Sequence, residues 1–220
     1  MKLDFYTSFN PRDVGQQYKS WLLFANKIYA VQDPSENIEV NCEKIYNKAA
    51  NFDGKKFQRI RDIIRIGQSQ SEYFCIINSD IKIQQNQENW NKITSKLDEN
   101  SIVVGHKYDY DEGKNPVLNW HGLDFFILNK KIVFDNDKFL MGQCAWDWYL
   151  LYISTKQNLD VYLIDFPFLF HKMHSPYWNI NKNNYLTAQD WFQEATGIDR
   201  KEKFIKFNLN RYLINKCKNI

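Results

Sequence analysis

Apolar residues in this chain come in short runs, and the spacing within the runs switches between that of a strand and that of a helix. Leu3-Asp4-Phe5-Tyr6-Thr7-Ser8 predicts a first strand that ends on small hydroxyl residues. Asn10-Pro11-Arg12-Asp13 then reads as a helix start, with an Asn cap, Pro at the first helical position and an acid in the first turn. Val14, Tyr18, Trp21, Leu22 and Ala25 come next at helical spacing as its buried face. Residues 27–31 predict a second strand, stopped by Asp33-Pro34-Ser35, and Ile38-Glu39-Val40 a short third. Gly54 precedes an amphipathic helix striped by Phe57, Ile60, Ile63 and Ile64. Tyr73-Phe74-Cys75-Ile76-Ile77 predicts a strand buried on both faces. It rises to the polar cluster Asn78-Ser79-Asp80 and returns to apolar alternation at Ile81-Lys82-Ile83. Trp90, Ile93 and Leu97 mark the next helix, and residues 101–105 a further strand.

Strands alternating with helices in this way predict an α/β domain with a mostly parallel sheet flanked by helices. Beyond residue 105 the texture changes. Residues 108–120 are polar, carry Gly113 and Pro116, and read as an exposed loop or hairpin. Residues 122–128 and 159–164 are strand-like, with a helix over 146–155 between them that opens on Asp147. Residues 168–176 end the sheet region. A polar loop over 179–184 and a helix bearing Trp191 and Phe192 come after it, and then a basic amphipathic stretch over 200–218.

With 220 residues the chain suits one domain with a sizeable core. A net charge of +3 is too small to argue for nucleic-acid binding. No segment is apolar enough to span a bilayer, the N-terminus lacks a signal-peptide core, and the four scattered cysteines read as reduced thiols; together these point to a cytoplasmic protein. Glycine-rich dinucleotide and P-loop motifs are absent, as is a GxSxG elbow, so a dehydrogenase, a P-loop NTPase and an α/β-hydrolase are poor readings. Asp80 is the most informative polar residue. In an open α/β sheet the ligand crevice lies at the carboxyl ends of the strands, where a carboxylate can hold a divalent cation against phosphate oxygens. The ordinary reading of such an Asp is a turn or cap.

The run Ile76-Ile77-Asn78-Ser79-Asp80-Ile81 resembles the DxD-type strand end of GT-A-fold, Rossmann-like nucleotide-sugar glycosyltransferases, and in particular a small bacterial and viral branch with an IINSDI strand. The resemblance extends in order through Thr7-Ser8 with Asn10-Pro11, Ser20-Trp21, Gly54-Lys55, Asp62-Ile63-Ile64, Gly122-Leu123-Asp124-Phe125-Phe126, Gly142 with Trp146-Asp147-Trp148, and His171 with His174. It implies one GT-A-like domain over 1–220. Residues 1–105 would bind the nucleotide-sugar, residues 106–178 would carry the acceptor and catalytic half, and residues 179–220 would be a helical extension.

It also implies roles. Asp80 and His171, with His174 as runner-up, would hold Mn²⁺ or Mg²⁺ against the donor diphosphate. Asn78 replaces the first acid of the motif and adds no charge. Asp147 would be the base that deprotonates a hydroxyl acceptor in an inverting displacement, between Trp146 and Trp148, which read either as a sugar platform or as core. Thr7, Ser8, Arg12, Lys55, Arg59, Asp62, Asn78, Ser79 and Asp124 would contact a UDP-, GDP- or similar sugar donor. The acceptor would be a glycan or another hydroxyl compound. The basic C-terminal helix would either touch an anionic membrane or pack on its own domain. A nucleotidyltransferase of related fold and a non-catalytic nucleotide- or carbohydrate-binding module are the alternatives.

Overall fold

The computed structural model describes residues 1–9, 16–111, 114–173, 182–199 and 203–220. Among them the strands are β1 (Leu3–Thr7), β2 (Ala25–Gln32), β3 (Glu43–Tyr46), β4 (Ala50–Phe52), β5 (Lys55–Phe57), β6 (Tyr73–Ile77), β7 (Ile81–Ile83), β8 (Ser101–Tyr110), β9 (Val117–Asn129), β10 (Asp160–Lys172) and β11 (Lys218–Asn219). The helices are α1 (Ile60–Gln70), α2 (Gln87–Thr94), α3 (Trp146–Lys156), α4 (Lys182–Thr196) and α5 (Lys203–Ile214). The main sheet runs β11-β10-β8-β9-β6-β1-β2-β3, with β7 paired to β10. Strands β3, β2, β1 and β6 are parallel, as are β8, β10 and β11, whereas β9 is antiparallel to both its neighbours and β7 to β10. A mostly parallel mixed sheet flanked by helices is the architecture expected from the alternation of spacings.

Strand β6 explains why its sequence is a continuous apolar run. It lies between β1 and β9, and alternate side chains enter different cores. Phe74 and Ile76 join a core with Ile60, Ile63 and Ile64 of α1 and Trp146, Leu150 and Leu151 of α3. Cys75 and Ile77 join another with Trp21, Phe24, Trp90 and Phe168. Helix α1 buries Ile60, Ile63, Ile64 and Gly67, a stripe at positions i, i+3, i+4 and i+7. Each fully buried isoleucine contributes about 1.5–3 kcal/mol.

Several expectations need correction. The start of the first helix, residues 10–14, lies outside the described residues. The next described element is a 3-10 helix, Gln16–Trp21, and Leu22 is exposed, because the chain turns at once into β2, which starts at Ala25. No strand forms at 38–40; Glu43–Tyr46 pairs with β2 instead. Gly54 does not lead a helix. Asp53 and Gly54 both have positive φ (53° and 71°) and turn the β4–β5 hairpin, the geometry that Asp-Gly favours. Lys55 and Phe57 therefore lie in a strand, and α1 begins only at Ile60. Of the two readings of the polar stretch 108–120, the hairpin is the one that forms: the ends of β8 and β9 pair antiparallel from Lys107↔Asn119 to Asp109↔Val117. Strand β10 runs on through His171. Trp146 and Trp148 are core residues, 2% and 1% exposed, and so cannot be a sugar platform. In the C-terminal stretch, as one of its two readings expected, Leu209, Leu213 and Ile214 pack on the domain's own core, and β11 extends its sheet.

Candidate functional site

Because β1, β2 and β6 are parallel, Thr7, Gln32 and Asn78 stand together at the carboxyl-terminal edge of the strands. Helix α1 ends just before β6 begins, which places its first turn, with Asp62, at the same edge.

The chain leaves β6 in a tight turn, in which the Ile81 N–H donates to the Asn78 carbonyl at 3.2 Å. The turn carries Asp80 out of the β6 line and onto β7, which pairs with β10 at His171↔Ile81. The Trp21 indole N–H pins β7 by donating to the Ile81 carbonyl at 2.8 Å, and the Ile83 N–H donates to the Ser20 hydroxyl at 2.9 Å. Asp80 Oδ2 consequently lies 3.3 Å from His171 Nε2, and the other ring nitrogen, Nδ1, lies 2.8 Å from Asp109 Oδ1. Asn119 Nδ2 donates to the second Asp109 oxygen at 2.6 Å. Burial alone would lower the basicity of His171, but its contacts with Asp80 and Asp109 outweigh that and raise it.

Asp124 reaches the same place through an irregularity in the sheet. Gly105 pairs with Phe125 and His106 with Leu123, so Asp124 is an extra residue bulged out of the β8–β9 ladder. Such a bulge re-aims a side chain. The Asp124 carboxylate accepts from Asn78 Nδ2 and pairs with Lys107 Nζ at 2.6 Å, both partners being largely buried. The Lys107 ammonium is held protonated above its usual range: burial opposes the charge, while Asp124, Asp80 and Asp109 favour it more strongly. Asp147, in the first turn of α3 and 5% exposed, accepts from the Leu123 N–H at 2.9 Å and so ties down the strand beside Asp124.

The structure thus brings Asn78, Asp80, Asp124 and His171 around Lys107, with Ser79 buried in the turn, and ties Asp147 to the backbone at Leu123, next to Asp124. Thr7 is fully buried at the end of β1 and Ser8 half-buried beside it. Lys55 lies in the β4–β5 hairpin, while Arg59 and Asp62 face one another at the start of α1, 4.0 Å apart. Arg12 and His174 lie outside the described residues. Sequence reasoning missed Lys107 and Asp109, although charges two apart in a strand share a face. It also missed Asp33, read there only as a strand stop. The Asp33 carboxylate binds Lys56 Nζ at 2.6 Å, the Ser35 hydroxyl at 2.7 Å and the Ala49 N–H at 2.9 Å, which hold it well below the usual carboxylate range. Beside it, both amide atoms of buried Gln32 lack a hydrogen-bond partner, as does the Thr7 hydroxyl. Unpartnered buried polar groups are rare and mark places where a ligand or water completes the set.

Whether a divalent cation suits this site is a question of donors. Asp80 Oδ2 and His171 Nε2 converge, and Asp109 on the far side of the imidazole is the orienting carboxylate that metal-binding histidines commonly have. No cluster of three or more His, Cys, Asp or Glu fit to hold a metal exists among the described residues. The protein offers two donors, which suits an ion completed by phosphate oxygens and water.

No protein-family model matches the chain, and no curated protein matches it. Among solved structures, S. aureus TarS 1–349 in complex with UDP-GlcNAc superposes with a TM-score of 0.55 at 10% identity, covering 98% of this chain and 72% of that one. The same fragment in complex with UDP gives 0.54 at 11%, covering 98% and 71%. The inositol-1-phosphate CTP transferase from T. maritima gives 0.48 at 12%, covering 88% and 97%. At such identities the likeness to TarS speaks to the fold, and the fold is GT-A-like.

Proposed function

We propose that the protein is a glycosyltransferase that moves a sugar from a nucleotide diphosphosugar to a hydroxyl of a glycan or a lipid- or protein-linked acceptor. The observation that carries this reading is the convergence of Asp80, His171, Asn78, Asp124 and Lys107 beyond the carboxyl end of β6. It gains support from the fold's likeness to a structure that holds UDP-GlcNAc.

In this reading Thr7, Gln32 and the Asp33–Lys56 pair face the base and ribose, which would supply the partners that Thr7 and Gln32 lack. Asp80 and His171 would hold Mn²⁺ or Mg²⁺, which would supply positive charge against the diphosphate of the departing nucleotide. Lys107 contributes a permanent positive charge to the same place. Asn78 spends its amide on Asp124 and so orients that carboxylate for sugar hydroxyls. Asp147 takes the proton from the acceptor hydroxyl as that oxygen attacks the anomeric carbon, with inversion. Its carboxylate is already held by the Leu123 amide, which fixes its direction.

The test is release of nucleoside diphosphate from UDP-GlcNAc, UDP-glucose and GDP-mannose with Mn²⁺, with and without added saccharide acceptors. Release that needs Asp80, together with an Asp147→Asn variant that binds nucleotide but transfers nothing, supports the reading. Full transfer by Asp147→Asn would remove the assigned base. Pyrophosphate release from nucleoside triphosphates in place of sugar transfer would replace the reading with a nucleotidyltransferase.

A further inference from the structure

Neighbouring residues of a strand point to opposite faces, so the strand that sends Lys107 and Asp109 into the candidate site sends His106 and Tyr108 to the other side of the sheet. There the ladder opens on both flanks of His106. Trp120, His121 and Gly122 are extra residues on β9, between the pairs His106↔Leu123 and Lys107↔Asn119. On β10 the pairing jumps from Ile164↔Gly105 to Leu169↔Lys107, leaving four residues from Asp165 onward opposite His106 alone. The two bulges leave a cavity of about 320 Å³, lined among others by His106, Tyr108, Trp120, Asp165, Asn215 and Asn219.

His106 is 3% exposed and lines this cavity, yet neither ring nitrogen has a hydrogen-bond partner; the Gly122 backbone acts on the ring without closing a bond of ordinary geometry. A buried imidazole left in this state needs something that can both give and accept a hydrogen bond. Trp120 stands at 5.1 Å from it, edge to face, and is 56% exposed. Among the described residues the lining holds an indole surface, a carboxylate and two carboxamides, and no lysine or arginine. That chemistry disfavours an anion, and the volume sits at the small end of the roughly 300–1,000 Å³ of ligand pockets.

We propose that this cavity is a saccharide subsite on the face opposite the nucleotide-sugar site. A neutral hexopyranose ring packs on Trp120, and its hydroxyls exchange hydrogen bonds with His106, Asp165 and the two asparagines. A hydroxyl suits a neutral imidazole because it can donate to one lone pair or accept from one N–H. The subsite does not depend on the proposed transferase activity, since a sugar-binding module would use the cavity in the same way.

The experiment follows the His106 ring and Trp120 indole resonances by NMR during titration with the methyl glycosides of glucose, galactose and N-acetylglucosamine. UMP and inorganic phosphate serve as controls. At least one glycoside is expected to shift both resonances saturably, and Trp120→Ala, a change at an exposed position, should weaken binding at least about tenfold. His106→Gln should weaken it too, while UDP binding at the other face stays unchanged in both variants. The proposal is overturned if no glycoside shifts them, which would leave His106 satisfied by water. An unaltered response in Trp120→Ala, or a preference for UMP or phosphate, would equally overturn it.

Discussion

Replacing Lys107 by methionine isolates the electrostatics of the candidate site. The substitution keeps most of the side chain's volume and removes an ammonium that lies 2.6 Å from Asp124, with side-chain exposures of only 17% and 9%. It leaves the Asp124 carboxylate with Asn78 as its remaining polar partner and removes a charge that also faces Asp80 and Asp109. Breaking a buried pair by deleting one partner costs about 3–5 kcal/mol. For a chain of this size each kcal/mol moves the melting point by about 2–4 °C, so Lys107→Met should melt roughly 6–20 °C lower. Asp124→Asn should be costly for the converse reason. The double variant Lys107→Met/Asp124→Asn should recover about 2 kcal/mol relative to the sum of the singles. Urea unfolding of the four proteins completes the cycle. Single losses below about 1 kcal/mol, or costs that simply add, would refute a buried, coupled pair.

Three other perturbations have defined outcomes. An ideal Cβ at Gly67 would stand 2.7 Å from Phe74 Cε2, inside a packed core. Gly67→Ala should therefore lose up to about 2 kcal/mol by urea unfolding, overpacking of about 1–3 kcal/mol outweighing the roughly 1 kcal/mol that alanine gains in a helix; a more stable variant would show that Phe74 yields. Burial lowers the basicity of His106 below the ordinary value of 6.5, so the unfolded chain takes up the proton first as pH falls. Wild type should thus lose stability below about pH 6.5 relative to His106→Gln, and parallel stability–pH curves for the two proteins would contradict this. Asp33→Ala frees Lys56, Ser35 and the Ala49 amide and should destabilise the β2–β4 connection, read as a lower urea midpoint; an unchanged midpoint would make the cluster dispensable.

Much of the fold was legible because buried strands and amphipathic helices announce themselves by period. The double burial of β6 was visible in Phe74-Cys75-Ile76-Ile77, and the stripe of α1 in Ile60, Ile63 and Ile64. Turn chemistry was the weaker signal. Asp53-Gly54 between Phe52 and Phe57 is a hairpin sequence, but the apolar spacing from Phe57 onward imitated a helix. In the site, Asp80 and His171 could be paired only through a resemblance, since they lie far apart along the chain and nothing local links the two. Asp124 and Lys107 meet because a bulge turns one toward the other. A bulge is a property of two strands together, and no single stretch of sequence encodes it.

The central claim is tested most directly by calorimetric titration of UDP, GDP, CDP and dTDP, with and without Mn²⁺, into wild type and Asp80→Ala. In the proposed reading Asp80 and His171, 3.3 Å apart, would supply two of a cation's ligands, so nucleotide and Mn²⁺ should each tighten the other's binding. The account predicts one preferred nucleoside diphosphate, bound more tightly with Mn²⁺, and loss of that enhancement in Asp80→Ala. No binding of any of the four under either condition, or binding indifferent to both Mn²⁺ and Asp80, would contradict it.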